Sequence, residues 1–381
     1  MTKEKILYLK GREVDSFKSE ELVNINKLSS NFWYDDYEIS YRQGNKESRK
    51  VPIPSFKTKH RREVIIDIAR RYLSLDSIKQ IIDTIHDNGG ENLQLYISDN
   101  DRFGIYSDYL GQTNTEPNNN YLTKNEVQEL VSYANERGIL VVPNIDVPSH
   151  SGKWLSIVRE KYPEKVITSD FDDTLVDYWW NEESYEAVKN LIGEYFDVFR
   201  QPNLNRNLSF HIGGDESPGA EGNQPAFIDF INNIATFVFE NGYKPMIWND
   251  CIYESGLGRL NRGIDIYYWQ KQGNSLSAKD FANDNRDLVN CNFYATTFLP
   301  APKFESSDID WQVNFINDKF NTDTFCEGND DTNIFSDVGK PLSVRGTSMV
   351  FWSENSLELT EERYLAQVKP LIETYLNVSQ S

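Results

Sequence analysis

Two adjacent carboxylates, Asp215 and Glu216, follow the apolar run Phe210-His211-Ile212-Gly213-Gly214, and they are not isolated. Asp99 follows Leu95-Tyr96-Ile97-Ser98, and Asp146 and His150 follow Val141-Val142-Pro143-Asn144-Ile145. Trp248, Trp269, Tyr294 and the pair Trp352 and Glu354 close further apolar runs. Carboxylates and a histidine can transfer protons at a reacting oxygen. Indoles and a phenol beside them offer flat apolar faces on which a sugar ring stacks while its hydroxyls take charged hydrogen bonds. The combination points to carbohydrate chemistry. Each piece alone has a plainer reading: a strand-terminal Trp more often packs than binds, an Asp-Glu pair suits a helix N-terminus, and a lone histidine is usually structural. What favours a site is the recurrence of such residues at the same end of run after run.

Those runs need elements that bring their ends together. From about residue 60 short apolar runs alternate with stretches of helical period, which predicts a parallel sheet with crossover helices. Strands are expected at Val64–Ile68, Leu93–Ile97, Ile139–Ile145, Leu208–Ile212, Lys244–Trp248, Ile264–Trp269, Leu288–Phe293 and Gly346–Phe351. Helices are expected over Asp76–Asn88, Lys124–Arg137, Glu182–Phe199, Ala226–Glu240 and Thr360–Leu376. The second is the best marked: Thr123 and Glu126 form a capping box, Val127, Leu130, Val131 and Ala134 make one apolar face, and Gly138 stops it. This pattern predicts an α/β fold, a (β/α)8 TIM barrel over residues 61–381 behind an N-terminal extension over residues 1–60, with an open doubly wound sheet as the alternative. In such a barrel the C-terminal strand ends form the active-site face.

The extension holds Phe32-Trp33-Tyr34, the basic Arg49-Lys50, Pro52, Pro54 and Lys57-Thr58-Lys59, and reads as a strand or two rather than an independent domain. The polar segments Asn114–Asn120 and Glu305–Asp337 read as irregular loops over the barrel mouth.

The 381 residues carry a formal net charge of −20. That charge repels phosphate backbones and anionic lipid, so neither nucleic acid nor a membrane is expected as a partner. Cys251, Cys291 and Cys326 are odd in number and widely spaced, which excludes a disulfide framework or a zinc ribbon. No apolar run reaches the roughly 20 residues of a membrane-spanning helix. The N-terminus lacks the apolar core of a signal peptide, so the chain reads as cytoplasmic or as having lost a leader.

His60, His86, His150 and His211 have no metal-ligand spacing, and phosphate-loop, zinc-helix and serine-elbow motifs are missing. Neither a metal nor another cofactor is expected. Asp170-Phe171-Asp172-Asp173-Thr174-Leu175 matches the Asp-x-Asp-x-Thr nucleophile motif of haloacid-dehalogenase-type phosphatases. Only Val166-Ile167-Thr168 precedes it, too little strand to hold a nucleophile, so it reads as an exposed acidic loop.

The string His211-Ile-Gly-Gly-Asp-Glu216 resembles the catalytic motif of the family-20 glycoside hydrolases, the β-N-acetylhexosaminidases. The likeness continues in order through Asp67-Ile-Ala-Arg70, Ser98-Asp99, Asp146-x-Pro148-x-His150, Met246-Ile-Trp248-Asn-Asp250, Tyr268-Trp269, Phe293-Tyr294 and Trp352-Ser-Glu354. It departs from the family pattern at Asn144, where many relatives carry Glu, at Ser149, where Gly is common, and at Asn100-Asp101-Arg102-Phe103. The resemblance implies a cofactor-free retaining glycosidase in which the substrate's own 2-acetamido oxygen, rather than a carboxylate nucleophile, attacks the anomeric carbon. Glu216 would be acid and then base, with its pKa held near the working pH. Asp215 would hold the acetamido N–H and Tyr294 the acetamido oxygen. Arg70 and Glu354 would bind hydroxyls of the terminal sugar, Trp248, Trp269 and Trp352 would enclose its ring, and Asp99 and His150 would relay to the acid.

The substrate so implied is a β-linked N-acetylglucosamine oligo- or polysaccharide. The likeness is greatest to single-barrel members acting on the β-1,6-linked poly-N-acetylglucosamine of biofilm matrix, a substrate that favours secretion. Partly deacetylated polymer is cationic, and an anionic groove would concentrate it. A general exo-β-N-acetylhexosaminidase for chitin fragments or glycan ends is the second reading. A non-catalytic carbohydrate-binding barrel is the third, and the intact Asp215-Glu216 pair argues against it.

Overall fold

The apolar runs predicted as strands pair in sequence order and close on themselves. In a computed structural model the strands are β1 (Arg61–Asp67), β2 (Asn92–Tyr96), β3 (Leu140–Val147), β4 (Ser209–Gly213), β5 (Lys244–Trp248), β6 (Asp265–Tyr268), β7 (Leu288–Asn290) and β8 (Val344–Phe351). Each pairs in parallel with the next, and β8 returns to β1 with Gly346 opposite Arg61 and Phe351 opposite Ile66. Ring closure excludes the open doubly wound sheet: this is a (β/α)8 barrel. A two-residue strand, Thr297–Phe298, pairs with the outgoing end of β8 on the edge that β7 occupies further back, extending the seventh strand position of the ring. The structure describes residues 4–9, 12–18, 37–43, 45–48, 50–52, 61–113, 120–201, 204, 207–328, 335–337 and 343–379. Phe32-Trp33-Tyr34, Arg49, Pro54, Lys57-Thr58-Lys59, His60 and Asn114–Asn119, all singled out in the sequence, lie outside the described residues.

The helices are α1 (Leu75–Asp87), α2 (Lys124–Glu136), α3 (Gly152–Lys161), α4 (Glu182–Gly193), α5 (Gln224–Glu240), the single turn α6 (Glu254–Leu257), α7 (Ala278–Asn283), α8 (Ser306–Lys319) and α9 (Glu361–Val378). On α2 the Thr123/Glu126 capping box forms, and the four predicted apolar residues are the buried ones. Among the described residues no helix is long and apolar enough to cross a membrane. Helix α4 stops at Gly193, short of the predicted Phe199. Glycine weakens a helix there, and Glu194 turns its carboxylate to the N–H of Asp108 and Tyr109 and to Lys124 Nζ.

The stretch read as irregular, Glu305–Asp337, instead holds α8, capped by Glu305 and Asp308, and an antiparallel pair, Thr324–Cys326 with Phe335–Asp337. Its buried side chains in α8 are only Ile309, Gln312 and Ile316, a stripe too thin to stand out among the polar residues. The first 60 residues hold more strand than expected: Glu4–Leu9, Arg12–Lys18, Tyr37–Gln43, Lys46–Glu47 and Val51–Pro52 form one antiparallel sheet. Tyr41 Oη from this sheet donates to Glu240 Oε2 at the end of α5, 3.1 Å away.

The barrel interior is apolar in its middle, with Ile65, Leu140, Val142, Met246, Tyr267, Val289 and Val350 packed together. Its N-terminal end is ionic. Arg61 Nη2 lies 2.8 Å and Lys244 Nζ 3.1 Å from Asp265, all three buried, and Arg61 Nη1 donates to Tyr267 Oη at 3.1 Å. Glu63, in the same layer, is pushed up to about 7 by burial, against the pull of Arg61. Asp265→Ala leaves two buried cations facing each other and is expected to cost about 3 kcal/mol of unfolding free energy. Urea denaturation checks this, and a loss below about 1 kcal/mol would assign the layer no structural weight.

Candidate active site

Each strand end contributes one part. After β1, Asp67 Oδ1 accepts from the N–H of Ala69 and Arg70 at 3.0 and 2.8 Å, a turn that aims Arg70 at the barrel axis. The other oxygen, Asp67 Oδ2, accepts from Arg70 Nη1 at 3.1 Å and from Ser353 N at 3.0 Å, tying the first strand to the eighth. After β2, Asp99 Oδ2 lies 2.8 Å from Arg70 Nη2 and accepts from Tyr96 Oη at 3.0 Å. After β3 comes His150, in a left-handed backbone conformation, with Nδ1 3.5 Å from Asp99 Oδ2. Its other nitrogen, Nε2, faces Glu216 Oε2 at 3.4 Å and Asp215 Oδ2 at 3.8 Å. Arg70, Asp99, His150 and Glu216 thus form one row of alternating charge.

The end of β4 is the most constrained point. Gly213 and Gly214 both have positive φ, and so does Glu216, at 44°. That conformation is uncommon for a glutamate and recurs where function demands it. The turn is held by Gly214 N donating to Asp146 Oδ1 at 3.1 Å and Glu216 N donating to Asp250 Oδ2 at 2.8 Å. Asp250 in turn accepts from Trp269 Nε1 at 3.0 Å, so one carboxylate after β5 fixes both the glutamate backbone and an indole. Ser149, a departure from the family pattern, hydrogen-bonds Ser217 side chain to side chain at 2.9 Å, and Asn100 Oδ1 caps α3 by accepting from Gly152 N at 3.2 Å. The Asn144 side chain is buried, and neither of its polar atoms has a partner among the described residues.

Electrostatics separates the carboxylates. Burial and the charge of Asp146 hold Asp215 well above the carboxylate range, and burial pushes Asp146 up to about 8. Between them the two retain a proton at neutral pH. Glu216 is drawn below its ordinary value by the hydrogen bond from His150. Burial alone would lower His150, but its bonds to Asp99 and Glu216 and the charge of Asp215 outweigh it and lift it to about 10. His150 therefore carries the proton of the His150–Glu216 pair in the free protein.

Asp146 and His150 hold protons more tightly folded than unfolded, where their values are near 3.8 and 6.5. Each contributes stability that is complete below the unfolded value and lost as pH rises through the folded one. The melting temperature is expected to fall between about pH 4 and 10, most steeply between about 6.5 and 8 where both groups contribute, and to fall less below pH 8 in Asp146→Asn, whose amide imitates the protonated carboxyl. A flat or rising melting temperature over that window would contradict these assignments.

Asp146, His150 and Asp215 offer ligand atoms within 4.8 Å of one another, the metal-type grouping found among the described residues. A cation bound there would have to displace the proton of His150 and the one shared by the two aspartates.

A cavity of about 210 Å³ opens over these groups, lined by Arg70, Tyr96, His150, Asp215, Glu216, Trp248, Trp269, Phe293, Thr297, Leu299, Val350, Trp352 and Glu354. Trp248 is fully buried at the base, 6.0 Å from Trp352 between ring centroids. Eight of the ten site residues expected from the sequence line this cavity. Asp99 stands behind it, bonded to Arg70 and close to His150. Tyr294 is the other exception: Phe293 forms the wall, and Tyr294 packs edge to face against it at 5.4 Å. Tyr96, Asp67 and Asp250 take positioning roles that no sequence argument assigned to them. Asp67 and Asp250 were visible as polar residues closing apolar runs; the inward turn of Tyr96, Thr297 and Leu299 had no such signal.

A family model described as glycosyl hydrolase family 20, catalytic domain, matches residues 59–366. Among curated proteins the chain is 29% identical over 266 residues to a lacto-N-biosidase of Bifidobacterium bifidum, and 23% identical over 255 residues to a beta-hexosaminidase of Akkermansia muciniphila. These alignments take in 62% and 57% of this chain but 22% and 49% of those proteins, so the chain spans half or less of their length. Among solved structures it is similar to Dispersin B, with a TM-score of 0.76 at 23% identity over 85% of this chain and 100% of that one. It is also similar to a pneumococcal exo-beta-D-N-acetylglucosaminidase module, with a TM-score of 0.67 at 22% identity over 84% of this chain and 83% of the other. Those two likenesses are of fold. The family match spans most of the barrel, including the strand ends that build the cavity, and the chain belongs to glycosyl hydrolase family 20.

Proposed function

We propose that the chain is a β-N-acetylhexosaminidase that removes β-linked N-acetylglucosamine with retention, through a cyclic oxazolinium formed by the substrate's own acetamido group. The observation that carries this reading is the division of labour between Asp215 and Glu216: one carboxylate buried, the other half-exposed at the mouth beside His150. Asp215 Oδ1 is buried with no hydrogen-bond partner among the described residues, an acceptor suited to an acetamido N–H. An acetamido N–H donated to Asp215 favours its ionised form, so on substrate binding the proton shared with Asp146 shifts to Asp146 and Asp215 carries the negative charge that steadies the oxazolinium. A sugar filling the cavity strips water from the ionised Glu216, and the proton on His150 moves across 3.4 Å to it. Glu216 then protonates the leaving oxygen, and afterwards takes a proton from the water that opens the ring intermediate. The sugar sits against Trp248, Trp269 and Trp352, with Arg70 and Glu354 on its hydroxyls.

For the acetamido oxygen the proposed donor is Tyr294, which has to reach past Phe293. Tyr294→Phe is expected to lower kcat/KM about tenfold, whereas an unchanged kcat/KM would leave that wall to Phe293 alone.

As substrate we propose β-1,6-linked poly-N-acetylglucosamine. The net charge of −20 favours a polymer that becomes cationic on partial deacetylation. The second reading, a general exo-hexosaminidase, is favoured by matched relatives whose names are beta-hexosaminidases. Rates on β-1,6- and β-1,4-linked N-acetylglucosamine oligomers of equal length, without added metal, decide between them. A preference for the 1,6 linkage supports the first, and preference for the 1,4 linkage supports the second. Binding of oligomers without any turnover would replace both with the non-catalytic barrel.

A further inference from the structure

The segment between α3 and α4, residues 162–181, turns back to the barrel mouth. Ser151 N donates to Thr174 O at 3.1 Å and Val176 N to Pro148 O at 2.8 Å, which seats the segment beside His150. The acidic string within it closes a local turn: Asp172 Oδ1 accepts from the N–H and the hydroxyl of Thr174 at 2.9 and 2.7 Å. Beside exposed Glu164, Val166, Asp170 and Asp173, the segment presents three large aromatic rings to solvent. Phe171, Trp179 and Trp180 expose 58%, 42% and 53% of their surface.

These rings are neighbours rather than scattered. Tyr178 stacks on Trp179 with centroids 6.1 Å apart and planes within 15°, and Trp179 meets Trp180 edge on at 6.0 Å. A methyl placed on Gly219 would lie 3.1 Å from Tyr178 Oη and 3.7 Å from Phe171 Cζ, so both rings border the same loop residue. Tyr178 and Trp180 are also tethered. Tyr178 Oη donates to Pro218 O at 3.0 Å, Trp180 Nε1 donates to Asp229 Oδ2 at 3.1 Å, and Trp180 holds a φ of 52°, a conformation disfavoured for tryptophan. Pro218 and Gly219 belong to the loop that follows Glu216, and three residues span at most about 10 Å. An exposed aromatic surface therefore borders the loop that carries the general acid.

We propose that Phe171, Trp179 and Trp180 form a stacking platform for the leaving-group sugars of a β-linked glycan whose terminal residue is bound at Glu216. This rests on the hydrolase reading above and adds to it a binding surface outside the cavity. Pyranose rings present apolar C–H faces that match such a surface, and preordered rings lose little freedom on binding them. An exposed aromatic patch of this kind otherwise marks a protein interface, including one between copies of this chain.

The test compares wild type, Phe171→Ala, Trp179→Ala and Trp179→Phe on an aryl N-acetyl-β-glucosaminide and on N-acetylglucosamine oligomers of increasing length. Trp179→Ala is expected to raise KM for the longer oligomers about tenfold while kcat/KM for the aryl glycoside stays within about twofold, Phe171→Ala to follow it, and Trp179→Phe to keep most of the affinity. Equal losses on aryl glycoside and oligomer, or oligomer KM values unchanged at every length, would overturn the platform. So would a change in sedimentation in Trp179→Ala with unchanged oligomer KM, which would make the patch a contact between copies. If the wild type cleaves neither substrate, the hydrolase reading itself fails; calorimetric binding of the longer oligomer, weakened by Trp179→Ala or indifferent to it, then upholds or overturns the platform separately.

Discussion

Glu216→Gln is expected to lower kcat/KM for an N-acetylglucosamine oligomer about a thousandfold. The amide matches the carboxylate in shape and keeps a hydrogen bond with His150 Nε2, now 3.4 Å from Oε2, so the backbone turn at β4 has no reason to change. What is lost is a proton to give to the leaving oxygen and a base for the incoming water. An oligomer needs the proton because a sugar alkoxide leaves poorly, whereas an activated aryl group leaves without it; the loss on the aryl glycoside is therefore expected to be smaller, about a hundredfold or less. The pH profile gives an independent readout, because the wild-type limb set by the shared proton of Glu216 and His150 disappears with the carboxylate. A variant within tenfold of wild type on the oligomer, with the same pH limbs, would remove Glu216 from the chemistry.

Gly213→Ala is expected to abolish stable folding, with a loss of more than about 5 kcal/mol. Gly213 closes β4 with a φ of 75°, and a Cβ there would lie 1.4 Å from Asp146 Oδ1 and 2.7 Å from Asp146 Cα. A carboxylate could swing away, but the Asp146 Cα belongs to β3 and cannot move without breaking the pairing of two barrel strands. Gly138, with a φ of 69° and nothing within 4 Å of its added methyl, supplies the control. Gly138→Ala meets only the left-handed backbone penalty and is expected to cost about 1 kcal/mol. Denaturant unfolding, or the soluble yield of each variant, measures the difference. Equal stability of the two variants would mean that the β4 turn is far more pliant than its packing suggests.

The close approach at Gly213 also illustrates what a sequence can and cannot state. Gly213-Gly214 ahead of Asp215-Glu216 marks a sharp turn with carboxylates beyond it. It does not say that the methyl-sized space beside Gly213 is filled by Asp146, 67 residues earlier, because strand order in a closed ring is settled by pairing between distant segments. The barrel itself was legible, since a strand buried on both faces reads as a continuous apolar run and a helix on a sheet keeps its 3.6-residue stripe. Helix α8 was not, because so little of it is buried.

The residue types of the site were fixed by the sequence alone: the carboxylate pair, the histidine, the three indoles and the arginine, each at the outgoing end of an apolar run. So was the fold class, through the alternation of continuous apolar runs with stretches of period 3.6. The protonation of those residues was decided only by the tertiary structure. Asp99, Asp146, Asp215 and Glu216 are the same functional group in the chain, yet burial and neighbouring charge raise two of them and hold two down. The choice of Phe293 over Tyr294 at the cavity wall was likewise settled in three dimensions, since both lie in the turn after β7, held by Asn292 Oδ1 accepting from the N–H of Tyr294 and Ala295, where no strand alternation decides which side chain faces the axis. Desolvation and Coulomb interaction act between residues that closure of the barrel brings within a few ångströms, and no local stretch of sequence records those distances.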